Sequence, residues 1–331
     1  MKRPEALARI VTILISLGII VVPLGIYASS RSNVLHARVA EEGGWTPQSL
    51  SAKAGKPLTL HITSDDVIHG FGIGQSDIPY ADVEPGKITD VTVTFDKPGV
   101  YTFFCTRWCG LNHWRMRGTI EVSGEGSEAA QASNPPLYVS LGIDIDAPHL
   151  AVSRPERIPS ARPGRQLASG NTALQRLLNS DYYRSHSPDQ VYSELQSTAL
   201  TPAQKWDLVA YIWRSNTTPQ GLEEGRKLYT ENCAACHGES GAGDGVFAQE
   251  LAATGSASGQ GMSGAADMSM QRPADFTDPE RMLGASPALL QGKLLRGGMG
   301  TGMPMWGAIF TDQQTWDIIA YLYSLQFDYQ Y

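Results

Sequence analysis

Cys105, Cys109, His113 and Met116 fall within twelve residues, in the order Cys-x3-Cys-x3-His-x2-Met. Thiolate and thioether sulfur are soft ligands that select copper, and imidazole suits the same metal. A mononuclear electron-transfer copper site takes one Cys, a following His, a weak axial Met and a second His from far upstream. Here a second Cys stands four residues before the expected one. Two thiolates on one short loop can bridge two copper ions, so the loop predicts a binuclear copper centre that carries electrons. His69, in Asp66-Val67-Ile68-His69-Gly70-Phe71, supplies the upstream imidazole from a strand-like stretch. The competing reading is a small disulfide between Cys105 and Cys109 in an oxidising compartment. Five ligand-type residues in register favour copper.

A second constellation is Cys233-Ala234-Ala235-Cys236-His237. Cys-x2-Cys-His is the attachment signature of c-type haem. Its two thiols form thioethers with the vinyl groups, and His237 becomes the proximal iron ligand. No histidine follows His237, so a sixth ligand is Met or absent. The candidates are Met262, Met268, Met270, Met282, Met299, Met303 and Met305. The two constellations use all four cysteines of the chain, which leaves none for a disulfide.

The Asp66 to Phe71 stretch, together with the run from Cys109 through His113, Met116 and Arg117 to Val122, resembles subunit II of haem–copper oxidases. It is most like the B-type enzymes, whose subunit II has one membrane helix. The resemblance covers about residues 8 to 123. It implies a CuA centre in a cupredoxin Greek-key barrel, with Cys105 and Cys109 bridging the coppers. His69 and Met116 would each terminate one end, and His113 would be the second imidazole. The residue two after the first Cys, here Arg107, would lend its backbone carbonyl. Many members of the family have Glu there, which also binds magnesium; Arg cannot, so no magnesium site is carried over. Gly302-Met303-Pro304-Met305-Trp306, followed by a Trp316 helix, is similar to the C-terminal half of class I cytochromes c. That resemblance covers residues 219 to 327 and implies Met303 as the sixth ligand, with Met305 and Met299 as alternatives. Pro273 is expected to set its carbonyl against the other nitrogen of His237.

The elements that position these residues follow from the rest of the chain. Residues 10 to 30 carry no charge and are mostly apolar, long enough to cross the hydrocarbon core. Lys2, Arg3 and Arg9 precede the run, which puts the N-terminus in the cytoplasm and the remainder outside, in periplasm or its equivalent. The run exceeds the apolar core of a signal peptide and lacks a good cleavage site, so a retained single-pass anchor is expected over residues 1–33. Period-two alternation in 57–63 and 88–95, with β-like stretches at 99–104 and 119–122, argues for an antiparallel all-β sandwich or barrel over 34–123. Residues 124–165 read as linker, flexible at first and irregular from Pro148 to Arg165. Leu137 to Ile145 is a short apolar run without evident role.

An all-α, cytochrome c-like region closes the chain, and it contains a repeat. Six identities between residues 201–211 and 311–321 share an offset of 110, and Ser187-Pro188 matches Ser286-Pro287 at an offset of 99. No Cys-x2-Cys-His precedes the first copy, so 166–218 reads as a haemless cytochrome c-like remnant and 219–331 as the haem domain. The gap of eleven falls where the second copy has its Gly- and Met-rich loop. Residues 252–270, rich in Gly, Ala, Ser and Met, read as a surface insertion. His36, His61 and His186 read as structural. Trp108 and Trp114 flank the copper ligands, either packed beneath the loop or exposed as an electron-entry patch.

Charge is unevenly placed. Residues 219–331 carry 13 Asp and Glu against 6 Lys and Arg, a net of −7, which is the net charge of the whole chain. The copper loop bears Arg107, Arg115 and Arg117, so complementary potentials could dock the haem domain on it. The expected function is the electron-entry subunit of a membrane terminal oxidase, with one covalently bound haem c and CuA. The expected partners are a haem–copper catalytic subunit in the membrane, a donor such as cytochrome c or a small copper protein, and membrane lipid, but no nucleic acid. The same role in a nitric oxide reductase is the alternative, and a lone membrane-tethered shuttle or sensor a third. A nitrous oxide reductase type of enzyme needs a second, His-rich copper cluster, for which seven His are too few.

Overall fold

Thr89 to Thr94 shows how the β domain forms: Val91 and Val93 turn inward while Asp90, Thr92 and Thr94 face solvent. Among the described residues nine strands make two sheets. They are β1 (Val34–Ala37), β2 (Trp45–Thr46), β3 (Ser49–Lys53), β4 (Pro57–Ser64), β5 (His69–Ile73), β6 (Ala81–Val83), β7 (Thr89–Thr94), β8 (Gly99–Phe104) and β9 (Arg117–Ser123). One sheet runs β2-β1-β4-β7 and the other β3-β9-β8-β5-β6. The pairs β1–β4 and β3–β9 are parallel, which corrects the expectation of a purely antiparallel domain. Alternation shows which face of a strand is buried; it does not show the direction of the neighbour. Between the sheets, Trp45 packs edge-on against Phe71 and Phe103 at 5.6 and 5.7 Å.

The computed structural model describes residues 34–76, 78–107, 109–110, 113–124, 135–169, 172–249, 272–298 and 303–330. The membrane-anchor expectation for 1–33, the 252–270 insertion, Trp108, the side chain of Trp114, Met299 and most of the 124–136 linker lie outside these residues. No helix among the described residues is long and apolar enough to cross a membrane.

The elements described after the β domain are helices: α1 (Leu137–Ser140), α2 (Ala161–Ala168), α3 (Ser180–Ser185), α4 (Pro188–Glu194), α5 (Pro202–Ser215), α6 (Pro219–Asn232), α7 (Ala234–His237), α8 (Pro279–Gly284), α9 (Pro287–Arg296) and α10 (Asp312–Ser324). Caps set the starts. Thr201 and Thr311 form capping boxes with Gln204 and Gln314, and Ser187 and Ser286 cap α4 and α9 ahead of a proline.

The repeat extends further than the sequence identities suggest. Helix α2 crosses α5 so closely that a Cβ on Gly164 would lie 2.0 Å from the Asp207 carbonyl oxygen. Helix α6 crosses α10 in the same way, with Gly225 against the Asp317 oxygen at 2.0 Å. Gly164-Arg165-Gln166-Leu167 is the counterpart of Gly225-Arg226-Lys227-Leu228. The first copy therefore begins before residue 166. The boundary drawn at 165/166 cuts through α2, and the irregular stretch ends at Ser160. Pro163-Gly164 hid the helix, but Pro is tolerated in a first turn and Gly is what the close crossing requires. The apolar run 137–145 also gains a role: Tyr138 and Ile145 pack over Gly292 of α9.

Candidate copper and haem centres

Strand β5 delivers His69, which is fully buried. Gly70, next to it, lets β5 touch the copper loop, since a Cβ there would meet Thr106 Oγ1 and the Arg107 nitrogen. The Gly70 N–H donates to Cys105 Sγ at 3.4 Å. Strand β8 ends at Phe104 and hands over Cys105; a 3-10 turn at His113–Arg115 presents His113; Met116 leads into β9.

The six predicted donors converge. Cys105 Sγ lies 3.8 Å from Cys109 Sγ, 3.9 Å from His69 Nδ1 and 3.1 Å from the Arg107 carbonyl oxygen. Cys109 Sγ lies 3.6 Å from His113 Nδ1 and 3.2 Å from Met116 Sδ. Both cysteines are free. The Arg107 guanidinium turns away to Asp82, at 2.9 Å, leaving only its carbonyl at the site. Burial opposes a charge on His69, yet its hydrogen bonds to Cys105 and Asp66 prevail and raise its pKa. The thiol pair is polarised: hydrogen bonding from Cys109, then His113 and His69, pulls Cys105 down to about 3, while Cys109 is pushed up. As thiolates, the two sulfurs are the donors a soft cation selects.

Two supporting residues escaped the sequence reading. Asp66 accepts from His69 Nε2 at 2.7 Å and from the Val39 and Val67 amides at 2.6 Å, which aims Nδ1 at the sulfurs. A carboxylate three residues before a ligand histidine was the available signal. Trp45 Nε1 donates to the Met116 carbonyl at 3.1 Å and so pins the far end of the loop; its distance in sequence hid it. His61 and His36 bond to Asp90 and Asp65 on the exposed face, away from the sulfurs.

In the helical region α6 runs into Cys233, and α7 carries Cys236 and His237. These three residues and Met303 line one cavity of about 460 Å³. His237 Nδ1 donates to the Ala274 carbonyl at 3.0 Å, not to Pro273, which corrects the expected partner by one residue. Every residue carries a carbonyl, so residue type could not single this one out. Phe276 stacks on the imidazole at 4.6 Å. Burial lowers the His237 pKa and favours the neutral ring that can bind iron. Burial also pushes the Cys233 thiol up to about 12 and raises Cys236. Met303 is half-buried at the cavity, Met305 is 60% exposed, and Met282 sits in the core at 3%. Arg272, Arg281, Lys293 and Arg296 line the same cavity, four of the six cations in 219–331. The donor sets fit the two groups: paired sulfurs with imidazoles suit copper, and a large cavity with two thiols, a neutral imidazole, a thioether and a cationic rim suits a dianionic haem.

The cytochrome c oxidase subunit II periplasmic domain family matches residues 48–123, and the cytochrome c family matches residues 222–326. A cytochrome c oxidase subunit 2 from Thermus thermophilus is 40% identical over 79 residues, which is 24% of this chain and 58% of that protein. A second subunit 2 from the same species matches over 46% of its length, so the chain spans about half the length of these relatives. A nitrous-oxide reductase from Ralstonia nicotianae is 38% identical over 74 residues, 21% of this chain and 11% of that enzyme. The periplasmic domain of cytochrome oxidase subunit II from Bradyrhizobium japonicum matches at 24% identity and a TM-score of 0.22, over 23% of this chain and 55% of that one. Spacing, geometry and family matches agree on one conclusion: the chain joins a domain of the cytochrome c oxidase subunit II periplasmic family, at 48–123, to a cytochrome c domain at 222–326.

Proposed function

We propose that this chain is the electron-entry subunit of a membrane terminal oxidase. The observation that carries the reading is the coexistence of two complete donor sets on one chain, one gathered at Cys105 Sγ and Cys109 Sγ, the other around a single cavity. When bound, the haem supplies a one-electron carrier and the copper pair a second, so the chain conducts from the first to the second and on to a haem–copper catalytic subunit. His69, Cys105, Cys109, His113, Met116 and the Arg107 carbonyl would hold the copper pair. Cys233 and Cys236 would attach the haem, and His237 and Met303 would ligate its iron.

The residues around the sites make conduction fast by keeping them still. Asp66 fixes His69, Trp45 pins the Met116 end of the copper loop, and Ala274 and Phe276 fix His237. A site that need not rearrange between oxidation states exchanges electrons with little barrier. The apolar run at 10–30 would anchor the chain and place both sites outside the membrane.

The test is an optical and EPR titration of the purified chain. A mixed-valence copper signal together with a c-type haem band is expected. Absence of either sinks the reading. Co-purification with a large haem-containing membrane subunit is expected as well.

A further inference from the structure

The two domains touch through an arrangement that none of the ligand assignments required. Residues 303–310 form a loop fixed in the helical core by Trp306, which is 8% exposed, stacks on Phe310 at 5.0 Å and donates its backbone N–H to the Leu294 carbonyl at 3.0 Å. Held in this way, the loop turns three alternate carbonyls toward the copper domain. Met305 O accepts from the Arg117 guanidinium at 2.8 Å. Gly307 O accepts from Gln75 Nε2 at 3.2 Å, and Ile309 O from the Gln75 backbone N–H at 3.0 Å. Gly74 permits the approach: a Cβ there would stand 2.4 Å from the Ala308 carbonyl oxygen. Arg117 directly follows Met116 of the copper loop, and Met305 is two residues from Met303 at the haem cavity.

We propose that Arg117 and the Gly74-Gln75 turn clamp this loop to the copper-ligand strand, and that the electron passes within the chain across the Arg117–Met305 hydrogen bond. The inference rests on the function proposed above. One electron leaves the haem and one enters the copper pair, with no proton moved and no co-reactant beyond the external donor that reduces the haem. Arg117 is a positioning residue in this scheme. It lies outside both donor sets and keeps the two ligand loops in register. This contact is a guanidinium on a carbonyl, a kind of docking distinct from the charge match expected from sequence. A hydrogen bond to a neutral carbonyl is weakened less by salt than a match of opposite surface charges.

The experiment uses the full chain loaded with both groups, and reads two quantities. Flash reduction gives the rate of intrachain transfer, and hydrogen exchange at the Gln75 amide reports whether the domains are docked. Arg117→Met is expected to slow transfer about tenfold, because misplacing a positioned pair by about 1 Å is costly. Arg117→Lys should restore most of the rate. Gly74→Ala is expected to speed exchange at Gln75 about tenfold and to slow transfer with it. Wild-type transfer in Arg117→Met, or wild-type transfer in Gly74→Ala once Gln75 has been released, overturns the proposal. So does an unprotected Gln75 amide in the unmodified chain. Failure of the underlying reading looks different: the copper or haem signal is missing before any rate is measured, while Gln75 protection can still be read without either group.

Discussion

The helical region holds two versions of one scaffold, and among the described residues the cavity with thiols and an imidazole lies in the second. In both, a glycine on the leading helix sits on the carbonyl of an aspartate, Gly164 on Asp207 and Gly225 on Asp317. In both, a threonine–glutamine capping box starts the trailing helix. The trailing helices even meet through equivalent residues: Trp213 and Tyr323, 110 apart in sequence, contact edge-on at 5.7 Å. The difference lies in the filling. In the second copy Ile318 and Leu322 line the cavity shared by Cys233, Cys236 and His237. Their counterparts Leu208 and Ile212 are fully buried in a core with Tyr183, Val191 and Leu195, where Tyr192 stacks on Trp206 at 4.4 Å. The same helix crossings and caps recur in both copies. Whether it carries a haem depends on two thiols, one imidazole and the volume left open beside them.

The largest expected effect breaks that comparison at its chemical end. Cys233→Ser with Cys236→Ser should abolish covalent haem altogether, read as loss of the haem-stained band on a denaturing gel. Peptides covering 158–218 should carry no haem in any variant.

An intermediate effect tests whether the two scaffolds are equivalent. Gly164→Ala and Gly225→Ala each push a methyl against a carbonyl oxygen at 2.0 Å. Overpacking of this kind costs about 1–3 kcal/mol. Denaturant unfolding should show both losses. A silent Gly164→Ala would mean that the first crossing is not held as the second is.

The smallest effect concerns the paired aspartates. Asp207 is ion-paired with Arg157 at 2.6 Å, and Asp317 instead accepts from Gln313 at 2.9 Å. Burial raises the Asp317 pKa above its ordinary 3.8. A raised carboxyl pKa means that the folded state holds the proton more tightly, so this group's contribution is fully present below pH 3.8 and is lost as pH climbs through the raised value. Asp317→Asn should flatten that part of the stability–pH profile, as measured by thermal melts across pH 3 to 7. An unchanged slope would place the titration elsewhere.

Legibility in the sequence followed residue type and locality. Thiols, imidazoles and thioethers at fixed spacing marked both donor sets, since few residues can bind a metal and a short loop brings them together whatever the fold. The caps of α4, α5, α9 and α10 showed in the sequence only as matching residues of the repeat, and their capping role came from the structure. Helix α2 was hidden, because Pro163-Gly164 reads as a breaker until α5 lies across it. The parallel pairing of β1 with β4 and of β3 with β9 left no trace in alternation.

The sequence by itself determined which side chains could hold copper and haem, and that one helical copy has the means and the other lacks it. Only the tertiary structure decided that Ala274 supports His237, that Trp45 closes the copper loop, and that the carbonyls of Met305, Gly307 and Ile309 receive the copper domain. The physical reason is that ligand chemistry belongs to particular side chains, whereas a backbone carbonyl is the same at every position and gains a role only from what packing places opposite it.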